Sequence, residues 1–278
     1  MNDDKNLSIH WFPGHMTKAL RMLADEIKNC DLVVYMLDAR APMSCLNPSF
    51  EEITQRRPTL FVLNKVDLSP ENSPLRLEGW MPKADGVCIK MNSTASGMRP
   101  KAIEAITRLM KPRIDAFRAK GVTKTLRAMV IGVPNCGKST FINNLASRAK
   151  TVTGDRPGVT KGKQWLSISD NLWLLDTPGT LYPKITNPQV ALNLAYIGSI
   201  KDDILPLIEI SKQLLVDLEK LKPGCVAERF NATDFDEICK KRGYVLRGGI
   251  LDEERAAKAI MTEFRAGKLG RFNLDDLL

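Results

Sequence analysis

The chain has 278 residues, 44% of them hydrophobic and 26% charged, and its formal net charge is +9. This length fits one medium-sized domain and a smaller one, and the composition excludes a disordered or fibrous protein. The longest apolar run, residues 32–37, is too short to span a bilayer, and the N-terminal sequence resembles no targeting leader. We therefore expect a cytoplasmic protein with no membrane partner, whose six cysteines are free thiols.

Positive charge is concentrated in one part of the chain. Residues 1–179 contain 26 lysines and arginines against 17 acidic residues, whereas residues 180–278 contain 15 of each. Nine basic residues but only two acidic ones occur from Arg99 to Arg127. Because a concentrated positive field attracts polyanions, nucleic acid is the expected partner, and a solvated helix face is the alternative.

Predicted helices and strands alternate up to residue 182. Helices are predicted at residues 16–30, 101–117 and 138–149, and Pro112 is expected to kink or break the second. The predicted strands are residues 32–39, 59–64, 87–92, 126–132, 164–169 and 171–176. This alternation predicts an α/β fold with a mostly parallel six-stranded sheet, in which the last two strands form a hairpin with one antiparallel edge.

After this region the pattern becomes helical and contains no strand-like run. Amphipathic helices are predicted at residues 203–221, 233–241 and 252–265, and Thr233 and Asp252 are expected to cap the last two. The sequence therefore predicts an α/β domain over residues 1–182 and a small all-helical domain over residues 183–278.

A glycine-rich phosphate loop follows the fourth predicted strand. Residues 132–139 read Gly-x-x-x-x-Gly-Lys-Ser between a strand and a helix, where backbone N–H groups and the helix N-terminus can hold phosphates. Lys138 is expected to reach the β- and γ-phosphates, and Ser139 to bind Mg²⁺. Further residues expected to line the nucleotide are Pro134, Asn135, Cys136, Gly137 and Thr140.

Two downstream motifs complete the expected phosphate site. Residues 176–179 read Asp-Thr-Pro-Gly at the end of an apolar strand. Asp176 is expected to hold Mg²⁺ through water, and the Gly179 N–H to sense the γ-phosphate, so that the following segment moves when this phosphate leaves. Thr160, in Pro-Gly-Val-Thr, is expected to bind Mg²⁺ in the triphosphate state, and a capped turn is the alternative.

A guanine-reading motif, Asn-Lys-Val-Asp at residues 64–67, precedes the phosphate loop. The Asp67 carboxylate can accept hydrogen bonds from two N–H donors of guanine that adenine does not offer, which predicts selection of guanine. The stem of Lys65 is expected to cover one face of the base. The other expected base-binding residues are Asn64 and, in a later loop where a backbone N–H should meet guanine O6, Asn92, Ser93 and Thr94.

Each of these motifs occurs in one copy, so residues 64–67 and 132–139 are expected to serve one site in permuted order. A nucleotide site is an arrangement of loops at strand ends, and joining neighbouring termini while opening the chain elsewhere preserves those loops. The C-terminal domain then follows Gly179 closely. This order predicts that nucleotide state is coupled to partner binding.

The motif order resembles that of the circularly permuted P-loop GTPases, and Trp-Phe-Pro-Gly-His-Met at 11–16 and Leu-Asp-Ala-Arg-Ala-Pro at 37–42 are similar to its ribosome-biogenesis members. The resemblance covers essentially the whole chain. It implies a GTPase that turns GTP into GDP with Mg²⁺, matures the large ribosomal subunit and leaves after hydrolysis. It implies precursor particles, rRNA and ribosomal proteins as partners, no DNA, and a monomer. The residues expected to face RNA are Lys240, Lys241, Arg242 and Arg247.

The motifs do not identify the group that positions the attacking water. Thr180 and Leu181 follow Gly179 where many GTPases have a glutamine, and neither can orient water as a carboxamide does. The resemblance points to His15, because a neutral imidazole can orient water. The other expected catalytic residues are Lys138, Thr160 and Gly179. Asn135 resembles the asparagine of potassium-stimulated GTPases, which implies that it helps to hold K⁺ beside the phosphates.

Three alternatives stay open. The chain could be a nucleotide-gated RNA-binding scaffold with negligible catalysis, which Thr180 and Leu181 favour and His15 opposes. It could be a mitochondrial relative with the same chemistry, which the leaderless N-terminus disfavours. Cys136 could be a reactive thiol at a helix start rather than a small packing residue.

Overall fold

The computed structural model describes residues 14–72, 86–95, 97–146, 164–182 and 184–278. They form two compact units. The sheet unit comprises the described residues up to 66 and from 86 to 182, and the helical unit comprises residues 67–72 and 184–278. Residues 67–72, which the predicted boundaries assign to the first domain, thus cluster with the helical unit. Across the described ranges, no helix combines the length and apolar character needed to cross a bilayer.

One six-stranded sheet organises the sheet unit. Its strands are β1 (Leu32–Asp38), β2 (Thr59–Asn64), β3 (Gly86–Lys90), β4 (Leu126–Ile131), β5 (Gln164–Ser169) and β6 (Leu172–Asp176). The strand order is β3-β2-β1-β4-β6-β5, and all neighbours are parallel except β5 and β6. The prediction of a mostly parallel six-stranded sheet with one antiparallel hairpin edge is confirmed.

The centre of the sheet forms the core of this unit. Every residue of β1 and β2 is buried, as expected for strands covered on both faces. Tyr35 anchors this core, with its ring stacked on Phe61 at 5.7 Å between centroids and its hydroxyl oxygen accepting a hydrogen bond from the Asn47 N–H at 2.6 Å. Since β1, β2, β3, β4 and β6 are parallel, their carboxyl ends share one edge, where the loops of a nucleotide site meet.

Four α-helices are described in the sheet unit. They are α1 (Gly14–Glu26), α2 (Glu51–Arg56), α3 (Met98–Arg118) and α4 (Lys138–Leu145). Pro112 was expected to kink or break its helix. It does not break the helix, because α3 continues through Pro112 to Arg118. Pro112 is exposed, so water can hydrogen-bond to the backbone carbonyl that loses its helical partner.

The helical unit contains five described α-helices. They are α5 (Pro188–Tyr196), α6 (Leu207–Leu221), α7 (Cys225–Phe230), α8 (Phe235–Lys241) and α9 (Glu253–Arg265). Helices α6 and α9 pack together. The buried Asp217 of α6 accepts a hydrogen bond from the Tyr196 hydroxyl at 2.8 Å. This buried polar pair fixes α5 against α6.

Two details of the helical prediction are wrong. The helix predicted from residue 203 begins at Leu207, because Pro206 separates it from a short 3₁₀ turn, Asp202–Ile204. The cap of α8 is Asp234, whose side chain accepts from the Glu237 N–H at 2.8 Å, and not Thr233. The region also contains one isolated antiparallel bridge, between Val245 and Leu251.

Candidate nucleotide-binding site

The phosphate loop joins the end of β4 to the start of α4 at the carboxyl edge of the sheet. Asn135 and Gly137 have positive φ angles, +58° and +100°, which turn the chain into the helix. Lys138 is buried, and its Nζ donates hydrogen bonds to the carbonyls of Gly132 at 3.0 Å and Val133 at 2.8 Å. The Lys138 ammonium is therefore held by the backbone of its own loop. Ser139 and Thr140, in the first turn of α4, are exposed.

Asn64 connects the base-reading motif to the phosphate loop. Its side-chain Nδ2 donates to the Cys136 carbonyl at 2.9 Å, and its Oδ1 accepts from the Ser93 N–H at 2.9 Å. A Cβ atom on Gly137 would lie 2.1 Å from Asn64 Nδ2, so this close approach requires glycine. The structure thus brings Asn64, Ser93, Cys136 and Gly137 together, as the permuted-order interpretation requires.

Lys65 links the same motif to a buried acid. Its Nζ donates to the Asn135 carbonyl at 2.7 Å and pairs with Asp38 Oδ2 at 2.9 Å. Asp38, the last residue of β1, also receives Arg40 Nε on Oδ1 at 2.9 Å and an Arg40 terminal nitrogen on Oδ2 at 2.8 Å. Burial acts to raise the pKa of Asp38, but Arg40 and Lys65 outweigh it and hold the pKa at about 2. The carboxylate therefore stays ionised and fixes the head group of Lys65.

Neither Asp38 nor Arg40 is among the predicted site residues. The available signal was an acidic residue at the end of an otherwise apolar strand, with an arginine two positions later. A buried carboxylate needs a cationic partner, and a neighbouring arginine can supply it. The second partner, Lys65, is brought by the adjacent strand β2, and that contact depends on the order of strands in the sheet.

The remaining predicted base-binding residues lie in two loops. Asp67 is exposed in a 3₁₀ turn, Val66–Leu68, directly after Lys65. In the other loop, the Thr94 N–H donates to Asn92 Oδ1 at 2.9 Å, and the Ala95 N–H donates to the Asn92 carbonyl at 3.0 Å. With the Ser93 N–H bound to Asn64, all three amides of residues 93–95 have acceptors within the protein. A contact between guanine O6 and the amide of Ser93 or Thr94 thus requires that amide to change or share its partner.

The segment at residues 176–179 lies against the phosphate loop. Asp176 ends β6 beside Val130 of β4, and burial raises its pKa while Lys138 opposes that effect. The Thr177 hydroxyl donates to the Val130 carbonyl. A Cβ atom on Gly179 would lie 2.7 Å from Pro134 Cα and 2.8 Å from Lys138 Nζ. Only glycine therefore allows the backbone to pass this close to the loop.

Thr180 and Leu181 turn into the protein interior. Their exposed fractions are 1% and 2%, and the Thr180 N–H donates to the Gly132 carbonyl at 3.3 Å. Their burial agrees with the expectation that neither residue positions the attacking water.

The described part of the chain does not include the side chains of two predicted catalytic residues. Thr160 lies outside the described residues. Gly14 and His15 belong to α1, whose backbone is described from Gly14 onward, but the His15 side chain lies outside the described part. The roles of Thr160 and His15 therefore stay predictions.

Cys136 is fully buried in the phosphate loop. Burial raises the pKa of its thiol, although the nearby Lys138 and Lys65 act in the opposite direction. Because the thiolate is the reactive form of cysteine, a raised pKa disfavours reactivity. The structure supports the interpretation of Cys136 as a small packing residue.

The oxygen groups at this edge fit Mg²⁺. Ser139 presents an exposed hydroxyl in the first turn of α4, and the Asp176 carboxylate ends the strand next to β4. Mg²⁺ in phosphate sites usually takes one or two protein oxygens and completes its shell with water and phosphate oxygens. A partly desolvated carboxylate with a raised pKa is also a group that a nearby cation stabilises.

One part of the chain matches a known protein family. A family model described as 50S ribosome-binding GTPase matches residues 127–229. The match begins in β4 and includes the phosphate loop and residues 176–179, whereas residues 64–67 precede it. The base-reading motif thus lies on the other side of the matched region from where the common motif order would put it.

Relatives and solved structures match nearly the whole chain. Ribosome biogenesis GTPase A from Bacillus cereus is 38% identical over 276 residues, covering 96% of this chain and 93% of that protein. Mitochondrial ribosome-associated GTPase 1 from Ictalurus punctatus is 33% identical over 300 residues, covering 96% and 92%. The crystal structure of GNP-bound YlqF from T. maritima has a TM-score of 0.63 and 28% identity, covering 92% of this chain and 97% of that one.

Proposed function

Because the chain belongs to the ribosome biogenesis GTPase A family, we propose that this GTPase acts in late maturation of the large ribosomal subunit. It binds an immature particle with GTP and leaves after hydrolysis. The hydrogen bond from Asn64 to the Cys136 carbonyl carries the nucleotide-binding part of the proposal, and the match of residues 127–229 to a 50S ribosome-binding GTPase family supports the large-subunit part. This bond gives the base-reading motif and the phosphate loop one common frame, although the chain presents them in permuted order.

The phosphates bind over the loop at residues 132–139 in this proposal. Lys138 exchanges its bonds to the Gly132 and Val133 carbonyls for bonds to the β- and γ-phosphate oxygens. The Gly179 N–H donates to the γ-phosphate, which its close packing against Pro134 supports. Mg²⁺, held by Ser139, Asp176 and Thr160, would neutralise charge on the phosphate oxygens.

The base binds beside residues 64–67. The exposed Asp67 carboxylate accepts from N1–H and N2–H of guanine, and adenine would leave it without those donors. Lys65 covers a face of the base with its stem while its ammonium stays on Asn135 and Asp38. Asp38 and Arg40 are thus positioning residues for Lys65.

His15 positions the attacking water in this proposal. The burial of Thr180 and Leu181 supports a source outside the segment that follows Gly179. A neutral imidazole near the γ-phosphate can orient water or accept its proton. Asn135 is exposed in the phosphate loop, where its side chain can help to hold K⁺ and add positive charge beside the developing transition state.

The helical unit is the proposed contact with rRNA and ribosomal proteins. All four basic residues predicted to face RNA are exposed. Lys241 pairs with Glu237 at 3.8 Å, and Arg242 pairs with Glu263 at 3.7 Å. Of the four predicted residues, we therefore assign the leading RNA contacts to Lys240 and Arg247. We also propose that the protein is a monomer and that it acts in the cytoplasm, and the bacterial origin of the ribosome-biogenesis relatives supports the location.

One experiment tests the proposal and its main alternative. Large-subunit precursors are sedimented with the protein in the presence of a non-hydrolysable GTP analogue or GDP, and phosphate release is followed with and without the particles. We expect co-sedimentation with the analogue, release with GDP, and faster turnover with particles. Nucleotide-dependent binding without turnover would support the RNA scaffold instead, and equal binding in both states would contradict the switch.

A further inference from the structure

A basic cleft lies at the edge of the sheet opposite the candidate nucleotide site. Its volume is about 720 Å³, within the range of roughly 300–1,000 Å³ that ligand pockets occupy. Its basic lining residues are Lys28, Arg57, Arg113, Lys124 and Arg127. Three of them belong to the basic run between Arg99 and Arg127, and the fold adds two from elsewhere in the chain.

The position of the cleft follows from strand direction. Asp31 directly precedes β1, Lys124 precedes β4 closely, and Trp173 is the second residue of β6. These strands are parallel, so their first residues share one edge and the phosphate loop lies at the other. A strand the length of β1 spans about 20 Å. A ligand in the cleft therefore does not compete for space with a nucleotide.

The cleft is strongly positive. Its lining contains five basic side chains and one acidic side chain, Asp31, which leaves a net charge of +4. Both carboxylate oxygens of Asp31 are bonded within the protein. One pairs with Lys124, and Oδ2 accepts a hydrogen bond from the Arg127 N–H at 3.0 Å. Its carboxylate therefore shapes the cleft wall and neutralises only one of the five cations.

Neutral groups orient the three arginines of the cleft, whereas Lys124 pairs with Asp31, and Lys28 pairs with Asp25, which is outside the lining, at 3.6 Å. Arg57 Nε donates to the Cys30 carbonyl at 3.0 Å, and the Arg127 guanidinium lies over the Trp173 ring, 5.8 Å from its centroid. Arg113 donates to the Asp31 carbonyl at 3.4 Å. A neutral partner fixes a guanidinium without cancelling its charge, so the cleft keeps its positive field while its side chains are pre-ordered.

We propose that this cleft binds the phosphate backbone of ribosomal RNA, as a second contact separate from the helical unit. The proposal rests on the proposed function in ribosome maturation. Its cations come from four separated segments of the chain around one open cleft, which suits a ligand with several phosphates. Trp173, which is partly exposed, adds an aromatic surface of the kind that stacks on bases in single-stranded RNA sites.

The test compares two double variants of the full-length protein. Arg113→Gln with Arg127→Gln removes two cations from the cleft, and Arg108→Gln with Lys111→Gln removes two exposed cations from α3 outside its lining. Binding to a labelled single-stranded 12-nucleotide RNA is measured across salt concentrations. Each lost phosphate contact lowers the slope of log affinity against log salt by about 0.7. We expect a decrease of about 1.4 for the cleft variant and no decrease for the control.

A second measurement locates the RNA directly. RNA containing 4-thiouridine is cross-linked to the unmodified protein, and the cross-linked peptides should include residues 122–127 or Trp173. Cross-links confined to residues 184–278, or equal salt slopes for both double variants, would overturn the proposal. Inorganic pyrophosphate that displaces the RNA at micromolar concentration would assign the cleft to a small anion. GTP hydrolysis without RNA should be unchanged in both variants, so failure of the proposed function would be recognised separately.

Discussion

Asn64 Nδ2 and the carbonyl oxygen of Cys136 are joined by a hydrogen bond of 2.9 Å, although the two residues are 72 positions apart. The bond connects the end of β2 to the phosphate loop after β4. These strands are not neighbours in the sheet, since β1 lies between them. The permuted chain therefore closes its site across the carboxyl ends of three adjacent strands.

Replacing Asn64 by alanine should weaken nucleotide binding and the fold together. The change leaves the Cys136 carbonyl and the Ser93 N–H without their side-chain partners in a buried place, at a cost of about 1–3 kcal/mol for each group. We expect affinity for both GTP and GDP to fall at least about tenfold. A fluorescent guanine nucleotide and urea unfolding measure the two effects. Asn143→Ala, at an exposed asparagine of α4, is the matched control, and equal affinities for the two variants would contradict the bridging role.

Replacing Asp67 by asparagine should change which base is bound. The amide offers an N–H group where guanine also presents N–H donors, so GTP affinity should fall about 100-fold or more. Xanthosine triphosphate presents a carbonyl at that position and should bind better to the variant than GTP does. Competition binding with the two nucleotides checks this. A variant that still prefers GTP would remove Asp67 from base recognition.

Asp38 should make stability depend on pH in the acid range. Its pKa is about 2 in the folded chain against an ordinary value of 3.8. Because the pKa is lower in the folded chain, ionised Asp38 contributes to the free energy of unfolding, by about 2 kcal/mol. This contribution is complete above about pH 4 and is lost as the pH falls through about 2. Urea unfolding of the wild type and Asp38→Asn should thus converge between pH 5 and pH 2. Asp25→Asn, at an exposed carboxylate of α1, should leave the wild-type pH dependence intact, and a constant gap for Asp38→Asn would refute the assignment.

Replacing His15 by alanine should slow turnover without weakening GTP binding. Loss of a group that orients or deprotonates water typically costs about 100-fold or more in kcat. Single-turnover hydrolysis and nucleotide affinity separate the two quantities. The chain has only one other histidine, His10, and His10→Ala is the control. Unchanged turnover in His15→Ala would exclude the residue from the mechanism.

Replacing K⁺ by Na⁺ should slow hydrolysis at least about tenfold if a monovalent cation supplies charge beside the phosphates. Asn135→Ala should make the rates in the two salts equal, because the side chain that helps to hold the ion is gone. Hydrolysis is followed at constant ionic strength so that screening does not differ. Equal rates for the wild-type protein would reject the K⁺ site.

Local pattern and motif spacing predicted the sheet and the phosphate loop. Continuous apolar runs followed by turn residues are sufficient to identify buried strands. The glycine spacing at residues 132–139 is sufficient to identify a phosphate loop between a strand and a helix. The contacts between distant segments were not accessible in this way. The pairing of Lys65 with Asp38 and the two hydrogen bonds of Asn64 depend on which strands are neighbours. Pro206 as a helix boundary was available from the sequence, but the amphipathic spacing on both sides of it concealed the break.

Two hydrogen bonds hold the backbone from Asp176 to Thr180, one to β4 and one to Gly132, the residue that follows β4. The Thr177 hydroxyl binds the Val130 carbonyl, and the Thr180 amide binds the Gly132 carbonyl. Only Pro178 and Gly179 lie between the two bonded residues, so the segment has little freedom to move. A large displacement after loss of the γ-phosphate would have to break one of the two bonds. The Thr180 amide hydrogen therefore reports on this movement. It exchanges slowly with solvent while it is bonded to the Gly132 carbonyl and faster once that bond breaks.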